Sequence, residues 1–348
     1  MTKPLDQFAQ ASADWRANIR TNNRKTFFVM GMFVFIYLAI GILVDMYIYT
    51  GQFPQATLEN IFLGLITFKL FPLVTLIMLA IAVISLLITF SFHDKIMLMG
   101  TEYREITPNT AQSTAEQQLY NVVEEMKIAG NLNFMPRVYI IEADYMNAFA
   151  SGYSEKSAMV AITRGLMQKL NRAELQAVMA HELSHIRHLD IKLTLMASVL
   201  ANLMVMILDI FFYNAIFSRR RSDERSGNAL LFVIITLRYL LPIINVLLLL
   251  YLSRTREYMA DAGCVQLTRD NQALASALLK INNDHQENQT AYSAAYQQTP
   301  HENVRREAYI FDPVQAGIES TGSLTDMFST HPNLRDRLAA LGFKYESK

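Results

Sequence analysis

Four long apolar runs constrain the fold of this chain more than any other feature of its sequence. They cover residues 27–44, 71–92, 193–217 and 228–252. At about 1.5 Å per helical residue, each is long enough to cross a bilayer core of about 30 Å. The chain is also 52% hydrophobic, above the share of about 45 to 50% that is usual for soluble domains. We therefore expect a mainly α integral membrane protein with four hydrophobic helices.

The first two runs are predicted to form a transmembrane hairpin. A basic segment with Arg16, Arg20, Arg24 and Lys25 precedes the first run, whereas the loop at residues 51–60 has no Lys or Arg. By the positive-inside rule, the N-terminus and the chain that follows the hairpin lie in the cytoplasm. A cleaved signal peptide is disfavoured, because the run is longer than a signal h-region of about 7 to 15 residues and no A-x-A site follows it.

The last two runs leave two topologies open. Their connecting loop, "SRRRSDERSG", is rich in arginine, yet two full crossings would place it outside, against the positive-inside rule. Either its acidic residues and the earlier helices override the rule, or the pair is a hairpin that does not cross. Asp209 and Arg238 lie at similar distances from the loop centre. In an antiparallel pair they would meet, which lowers the cost of placing a charge in the bilayer.

The remaining segments have the pattern of a soluble domain. A helix is predicted from Ser113 to a stop at Gly130, and another after Asn171, which forms a capping box with Glu174. The segments "RVYIIEA" and "SAMVAIT" are predicted strands, and the turn-forming residues of "NAFASGYSEK" connect them. Two short strands beside helices indicate a small sheet.

The stretch "HELSH" on the second of these helices is a candidate zinc site. His181 and His185 are four residues apart, so both imidazoles project from one helix face and can bind one metal ion. Glu182 lies beside them, where it can take the proton of an activated water and pass it to a leaving amine. Because H-E-x-x-H also arises by chance, the motif requires a third ligand.

The segment "SRTREYMADAG" offers that ligand. Glu257 and Asp261 are four residues apart on a predicted helix. Glu257 is predicted to bind the metal, and Asp261 to accept the second N–H of a zinc-bound histidine, which fixes its tautomer. A solvated acidic face paired with Arg254 and Arg256 is the alternative.

Other residues and partners are assigned no part in catalysis. His188 is expected beside the site or in solvent, and Cys264 is expected to fill packing volume. The polar stretch at residues 282–307 is typical of a mobile loop or lid, with His285 and His301 solvated. The chain has no net formal charge and no basic patch, which argues against nucleic acid as a partner.

Several motifs occur in the order seen in HtpX-type membrane zinc metalloproteases, which are related to the CAAX prenyl proteases. These motifs are "NAFASG", "AMVAITRGLM", "HELSHIRHLD", "SRTREYMADAG" and "FSTHPNLRDRLAALGF". The chain resembles that family over roughly residues 95–343. The resemblance implies a zincin-type α+β catalytic domain with a small sheet, which contains one zinc ion.

The same resemblance implies the roles of individual residues. His181, His185 and Glu257 correspond to the zinc ligands, Glu182 to the general base and Asp261 to the carboxylate behind a ligand. His331 corresponds to a histidine assigned to oxyanion stabilisation in the related prenyl proteases, although a turn or helix-cap role ahead of the following proline is the alternative. We also expect substrate to lie along an exposed strand edge formed by "SAMVAIT", with hydrogen bonds from Asn147 and Ala148.

The predicted organisation alternates membrane and cytoplasmic segments. It comprises an N-terminal arm (1–26), a transmembrane hairpin (27–92), the first part of the catalytic domain (93–192), a second hydrophobic hairpin (193–252) and the second part of the catalytic domain (253–348). Because the last two runs separate the histidines from Glu257, the metal must lie near the bilayer surface.

We accordingly predict a zinc endopeptidase of a bacterial inner membrane, with its catalytic domain and both termini in the cytoplasm. Its substrates would be membrane or misfolded polypeptides, as expected for protein quality control. A CAAX-type peptidase of narrow specificity is one alternative. A non-enzymatic metal-binding membrane scaffold or ion pathway is another. The oligomeric state does not follow from the sequence.

Overall fold

The computed structural model describes residues 15–189, 236, 240, 256–299, 305–306, 308–318 and 331–343. These residues are mostly helical, with one small mixed sheet. They belong to two compact units. Residues 26–91 are part of a helical unit, and the described residues of 92–189 and 256–343 are part of a sheet-containing unit. Most of the last two apolar runs, with Asp209 and Arg238, lies outside the described residues.

The first two apolar runs form long helices. They are α1 (Trp15–Gln52) and α3 (Leu73–Leu98), and the short α2 (Leu58–Ile66) lies between them in the chain. Among the described residues, Met30–Gln52 is long and apolar enough to cross a membrane as one helix. The two halves of α3 reach that length only together, and a bend of 49° separates them. The two later hydrophobic helices stay a prediction.

A buried aspartate holds α1 against the start of α3. The carboxylate of Asp45 accepts hydrogen bonds from the backbone N–H of Val74 at 3.0 Å and from the N–H and hydroxyl of Thr75 at 2.8 and 2.7 Å. It therefore caps the first turn of α3, where backbone donors have no partner within the helix. Gly41 permits this approach, because a Cβ there would lie 2.5 Å from the Cα of Thr75.

The sheet has four short strands in the order β1-β2-β4-β3. They are β1 (Tyr103–Ile106), β2 (Arg137–Ile141), β3 (Ala148–Ser151) and β4 (Met159–Thr163). The inner strands β2 and β4 are parallel, and each outer strand is antiparallel to its neighbour. The two predicted strands are thus β2 and β4, whose apolar runs are buried as expected of inner strands.

Two strand predictions were wrong. The segment predicted to be a turn-rich connection contains β3, because its small residues and Phe149 pair with β4 and become buried. The predicted edge strand, β4, lies between β2 and β3. The edge beside the predicted substrate-binding residues is consequently β3.

Three helices lie in the same unit as the sheet, and the last of them in the chain carries the histidines. They are α4 (Thr114–Ala129), α5 (Arg164–Lys169) and α6 (Arg172–His188). Asn171 and Glu174 form the predicted capping box at the start of α6, with reciprocal hydrogen bonds of 3.0 and 2.9 Å. Residues Ala177 to Ser184 of α6 are all buried, so this helix is fixed on every side.

The C-terminal helices include much of the stretch predicted to be mobile. They are α7 (residues 256–268), α8 (Gln272–Glu287), α9 (Gln289–Gln298) and α10 (Leu334–Ala340). The prediction that His285 is solvated was wrong, since the side chain is fully buried. Its Nδ1–H donates to the carbonyl of Ile281 and its Nε2 lies 3.1 Å from the Tyr296 hydroxyl. A polar sequence can be buried when its polar groups satisfy one another. His301 lies outside the described residues.

Candidate metal centre

His181 and His185 present their ring nitrogens to one point beside α6. Their Nε2 atoms are 3.2 Å apart, because residues four apart in a helix lie on the same face. His181 is fully buried, whereas His185 retains slight exposure. The histidine pair is therefore shielded from solvent at His181 and reachable by solvent at His185.

Glu257 on α7 completes the group. Its Oε2 lies 3.6 Å from Nε2 of His181, and its Oε1 lies 3.6 Å from Nε2 of His185. One ligand atom of each residue lies within 4.8 Å of the others. Two imidazole nitrogens and one carboxylate oxygen form a donor set that suits zinc and similar divalent ions.

A glycine allows α7 to approach α6 closely enough for this grouping. A Cβ on Gly263 would lie 2.5 Å from Oγ and 2.9 Å from Cβ of Ser184. Ser184 turns its hydroxyl onto its own helix, where it donates to the carbonyl of Ala180 at 2.8 Å. The two helices thus touch at Gly263, two residues beyond Asp261 in α7.

Glu182 lies beside the histidines in a buried environment. Neither of its carboxylate oxygens has a hydrogen-bond partner among the described residues, and the same holds for Oε2 of Glu257. Burial raises the pKa of Glu182 to about 7, because the ionised form is poorly solvated. Buried polar atoms without protein partners at one point are consistent with a site for a cation and water.

Asp261 lies behind His181. Its Oδ1 is 2.9 Å from Nδ1 of His181, an ion-pair distance, and both side chains are fully buried. Burial acts to raise the pKa of Asp261, but the charge of Arg337 and the contact with His181 outweigh it, so the pKa is lowered. Burial likewise acts to lower the pKa of His181, and its contacts with Asp261 and Glu257 produce a net rise.

Arg337 on α10 is a member of the site that the sequence analysis missed. It is buried and donates to both carboxylate oxygens of Asp261, from Nε at 3.0 Å and from Nη2 at 2.6 Å. Its Nη1 lies 3.8 Å from Oε2 of Glu257. The available signal was its place in "STHPNLRDRL", a motif already noted for His331.

His331 lies beside Glu257 at the edge of the same group. Its Nε2 is 3.8 Å from Oε1 of Glu257, and the side chain is buried. Asn333, not His331, caps α10, since its side chain accepts from the N–H of Asp336 at 2.8 Å. His331 is therefore not the cap of α10, and it lies beside the candidate metal ligand Glu257.

Asn147 and Ala148 are not free to bind substrate in this arrangement. The Asn147 amide donates to the carbonyl of Phe311 at 3.0 Å and to the Tyr296 hydroxyl at 3.3 Å. The carbonyl of Ala148 accepts from the N–H of Ile310 at 2.9 Å. A short segment of the chain itself, Tyr309–Phe311, therefore occupies the start of the β3 edge that we had expected substrate to use.

Cys264 and His188 are buried in the protein core. The Cys264 thiol donates to the carbonyl of Ala177 at 3.1 Å, and burial raises its pKa, which makes it a poor nucleophile. His188 is buried rather than solvated. It does not belong to the group of three ligand residues found in the described part of the chain.

One family model and several curated proteins are similar to most of this chain. The family described as Peptidase family M48 matches residues 113–343. A Protease HtpX homolog of Helicobacter acinonychis is 37% identical over 323 residues, which cover 93% of this chain and 96% of that protein. A Protease HtpX homolog of Ligilactobacillus salivarius is 34% identical and covers 93% and 97%. The crystal structure of S. mikatae Ste24p aligns over 91% of this chain and 66% of that chain, with 19% identity and a TM-score of 0.45.

Proposed function

Because the chain belongs to peptidase family M48, we propose that His181, His185 and Glu257 bind one zinc ion and that Glu182 is the general base of peptide hydrolysis. Family membership makes the chain a metalloprotease of the HtpX type that acts on polypeptides. The observation that carries the residue assignment is the convergence of three ligand atoms within 4.8 Å of one another.

The donor set supports zinc as the metal. Two histidines and one glutamate are a common ligand set of catalytic zinc, which keeps a further position for water or substrate. His185 and Glu257 are slightly exposed whereas His181 is sealed, so water or substrate would reach a metal ion held here from the side of His185. Asp261 contacts the ring nitrogen of His181 that points away from this position, which orients the ring.

Glu182 is proposed to carry out the proton transfers of peptide hydrolysis. A zinc ion held here would polarise the scissile carbonyl and acidify a water molecule. Glu182 takes the proton of that water and delivers it to the leaving amine. Burial raises the pKa of Glu182 to about 7 in the metal-free protein, so this carboxylate is more basic than a solvated glutamate and accepts the water proton more readily.

His331 is proposed to stabilise the oxyanion of the tetrahedral intermediate. It is buried beside Glu257 with Nε2 at 3.8 Å, and it belongs to a different segment from the three ligands. A donor fixed in advance in a buried site stabilises developing negative charge without the cost of reorienting solvent.

Substrate is proposed to pair with β3 beyond the point that Tyr309–Phe311 occupies. The N–H of Thr163 donates to the carbonyl of Asn147 at 3.0 Å, and backbone groups of alternate residues in an antiparallel strand face opposite sides. Ala148 and Ala150 therefore turn their backbone groups away from β4. The backbone groups of Ala148 are engaged, and Phe149 forms an isolated antiparallel bridge with Tyr309. Substrate is therefore proposed to pair beyond this bridge, with the carbonyl of Ala150. Asn147 and Ala148 are instead proposed to hold the Tyr309–Phe311 segment beside this position.

The membrane setting supports membrane or misfolded proteins as substrates. Two apolar runs separate the histidines from Glu257 in the sequence, so a zinc ion held by these residues would lie near the bilayer. The distribution of Lys and Arg around the first hairpin supports a cytoplasmic catalytic domain in a bacterial inner membrane. HtpX homologs among the similar proteins favour this function over a narrow CAAX-type peptidase or a non-enzymatic scaffold.

Glu182→Gln tests the proposed function directly. The purified variant should retain as much zinc as the wild type and lose casein cleavage by several orders of magnitude, because the base is removed and the ligands are not. Glu174→Gln is a matched control, since Glu174 is a buried glutamate on the same helix with a capping role. Undiminished cleavage by Glu182→Gln, with zinc bound, would overturn the assignment.

A further inference from the structure

Arg337 makes contacts that a purely structural arginine does not require. Its guanidinium donates to Asp261 from Nε and Nη2, and its Nη1 donates to the carbonyl of Ile310 at 2.6 Å. Nη1 is also 3.8 Å from Glu257. One buried cation thus contacts a candidate ligand, the carboxylate behind another ligand, and the segment that lines the β3 edge.

The two hydrogen bonds to Asp261 determine how that carboxylate faces His181. Its Oδ1 contacts both Nη2 of Arg337 at 2.6 Å and Nδ1 of His181 at 2.9 Å. A planar guanidinium that binds both oxygens fixes the plane of the carboxylate and not only its position. The orientation of the His181 ring therefore depends on Arg337 through Asp261.

The positive charge of Arg337 also stabilises the two buried carboxylates, Asp261 and Glu257, in their positions. Asp261 is fully buried and Glu257 nearly so, and two carboxylates in such surroundings are costly when unpaired. Arg337 is the side chain of α10 that reaches both. Removal of the guanidinium would leave the Asp261 carboxylate free to rotate, and this rotation would release the His181 ring.

We propose that Arg337 is a positioning residue that sets the zinc affinity of the site by holding Asp261 against His181. This inference rests on the proposed zinc function. Lysine cannot replace arginine here, because an ammonium group provides a point charge and no planar pair of donors. Arg337→Lys is therefore expected to retain the fold better than Arg337→Met and still to weaken zinc binding.

The test is the zinc dissociation constant of the detergent-solubilised full chain, measured by competition with a chromophoric chelator below the unfolding temperature. Arg337→Lys and Arg337→Met should each bind zinc about 10-fold or more weakly than the wild type, the usual effect of losing support behind a ligand. Arg306→Lys is the matched control. Arg306 is also buried and pairs with Asp312 at 3.0 Å, so its replacement should lower stability and leave zinc affinity unchanged.

A double-mutant cycle separates positioning from general destabilisation. Asp261→Asn should weaken zinc binding by itself, and Arg337→Lys should add little in the Asp261→Asn background, because Arg337 acts through Asp261. Additive losses, or an unchanged dissociation constant in Arg337→Lys, would overturn this inference alone. Absence of zinc binding by the wild type would instead overturn the proposed function. If Arg337→Met does not fold, the lysine variant decides.

Discussion

Nε2 of His185 lies 3.6 Å from Oε1 of Glu257, although the last two apolar runs separate these residues in the chain. The two halves of the site must therefore be brought together by tertiary structure. Gly263 packs closely against Ser184, which brings α7 to α6. Arg337 contacts Glu257 and Asp261, which holds α10 against α7.

Alanine at His181, His185 or Glu257 should remove zinc as well as activity. A catalytic site with three protein ligands cannot easily lose one and keep its metal. Zinc content after dialysis and casein cleavage should fall together in each variant. His188→Ala is the control, because His188 lies on the same helix outside the ligand group. Full zinc content in any of the three ligand variants would exclude that residue as a ligand.

Glu182 should make the stability of the chelator-treated protein depend on pH. Its pKa is raised from 4.5 to about 7 in the folded protein, so the associated stability is present below about pH 4.5 and is lost as the pH rises through 7. Glu182→Gln stays neutral and should be more stable than the wild type at about pH 8, by at most about 3 kcal/mol. The two proteins should be equally stable at low pH.

Glu174 provides a control of opposite sign for this measurement. Burial acts to raise the pKa of Glu174, but Lys280 and Ser276 outweigh it, so its pKa is lowered. Its stability contribution is present above the ordinary pKa and is lost as the pH falls. Glu174→Gln should therefore be less stable than the wild type near pH 8. A stability difference for Glu182→Gln that does not vary with pH would contradict the buried, unpaired state of Glu182.

His331→Ala should reduce kcat with little change in KM. The proposed hydrogen bond forms mainly with the transition state, and loss of one such donor typically costs about 100-fold or more. Steady-state kinetics on a peptide substrate, with zinc content measured in parallel, would check this. Asn333→Ala is the control, since it removes the α10 cap and should affect thermal stability more than kcat. A rise in KM alone would assign His331 to substrate binding.

Gly263→Ala should push α7 away from α6. The added Cβ would meet both Oγ and Cβ of Ser184 at less than 3.0 Å, and overpacking of this kind usually costs about 1 to 3 kcal/mol. Weaker zinc binding and a lower unfolding temperature should appear together, and Ser184→Gly should restore part of both. Gly31→Ala is the control, because a Cβ at Gly31 meets no atom within 4 Å.

Asp45→Ala should destabilise the detergent-solubilised protein by about 1 to 2 kcal/mol, the cost of a lost helix cap. Asp45→Asn should lose less, since the amide keeps one acceptor oxygen for the three donors of Val74 and Thr75. Thermal unfolding of the two variants, compared with Thr75→Val, measures the effect. Equal losses for Ala and Asn would show that the charge of Asp45 matters more than its capping geometry.

The sequence by itself determined the features whose physics is local. The spacing of His181 and His185 places both rings on one helix face whatever surrounds them, and the capping box of Asn171 and Glu174 starts that helix. Apolar runs of sufficient length likewise predict α1 and the bent α3. Each of these depends on residues within a few turns of one another, which a linear pattern records.

Only the tertiary structure decided the features that depend on distant partners. Strand β3 looks like a turn until it pairs with β4, and His285 looks solvated until Tyr296 provides a hydrogen-bond partner inside the core. Arg337 resembles any charged residue of an exposed helix, and its role follows from the carboxylate of Asp261 that α7 brings to it. Burial and pairing are properties of two segments at once, so neither segment alone can reveal them.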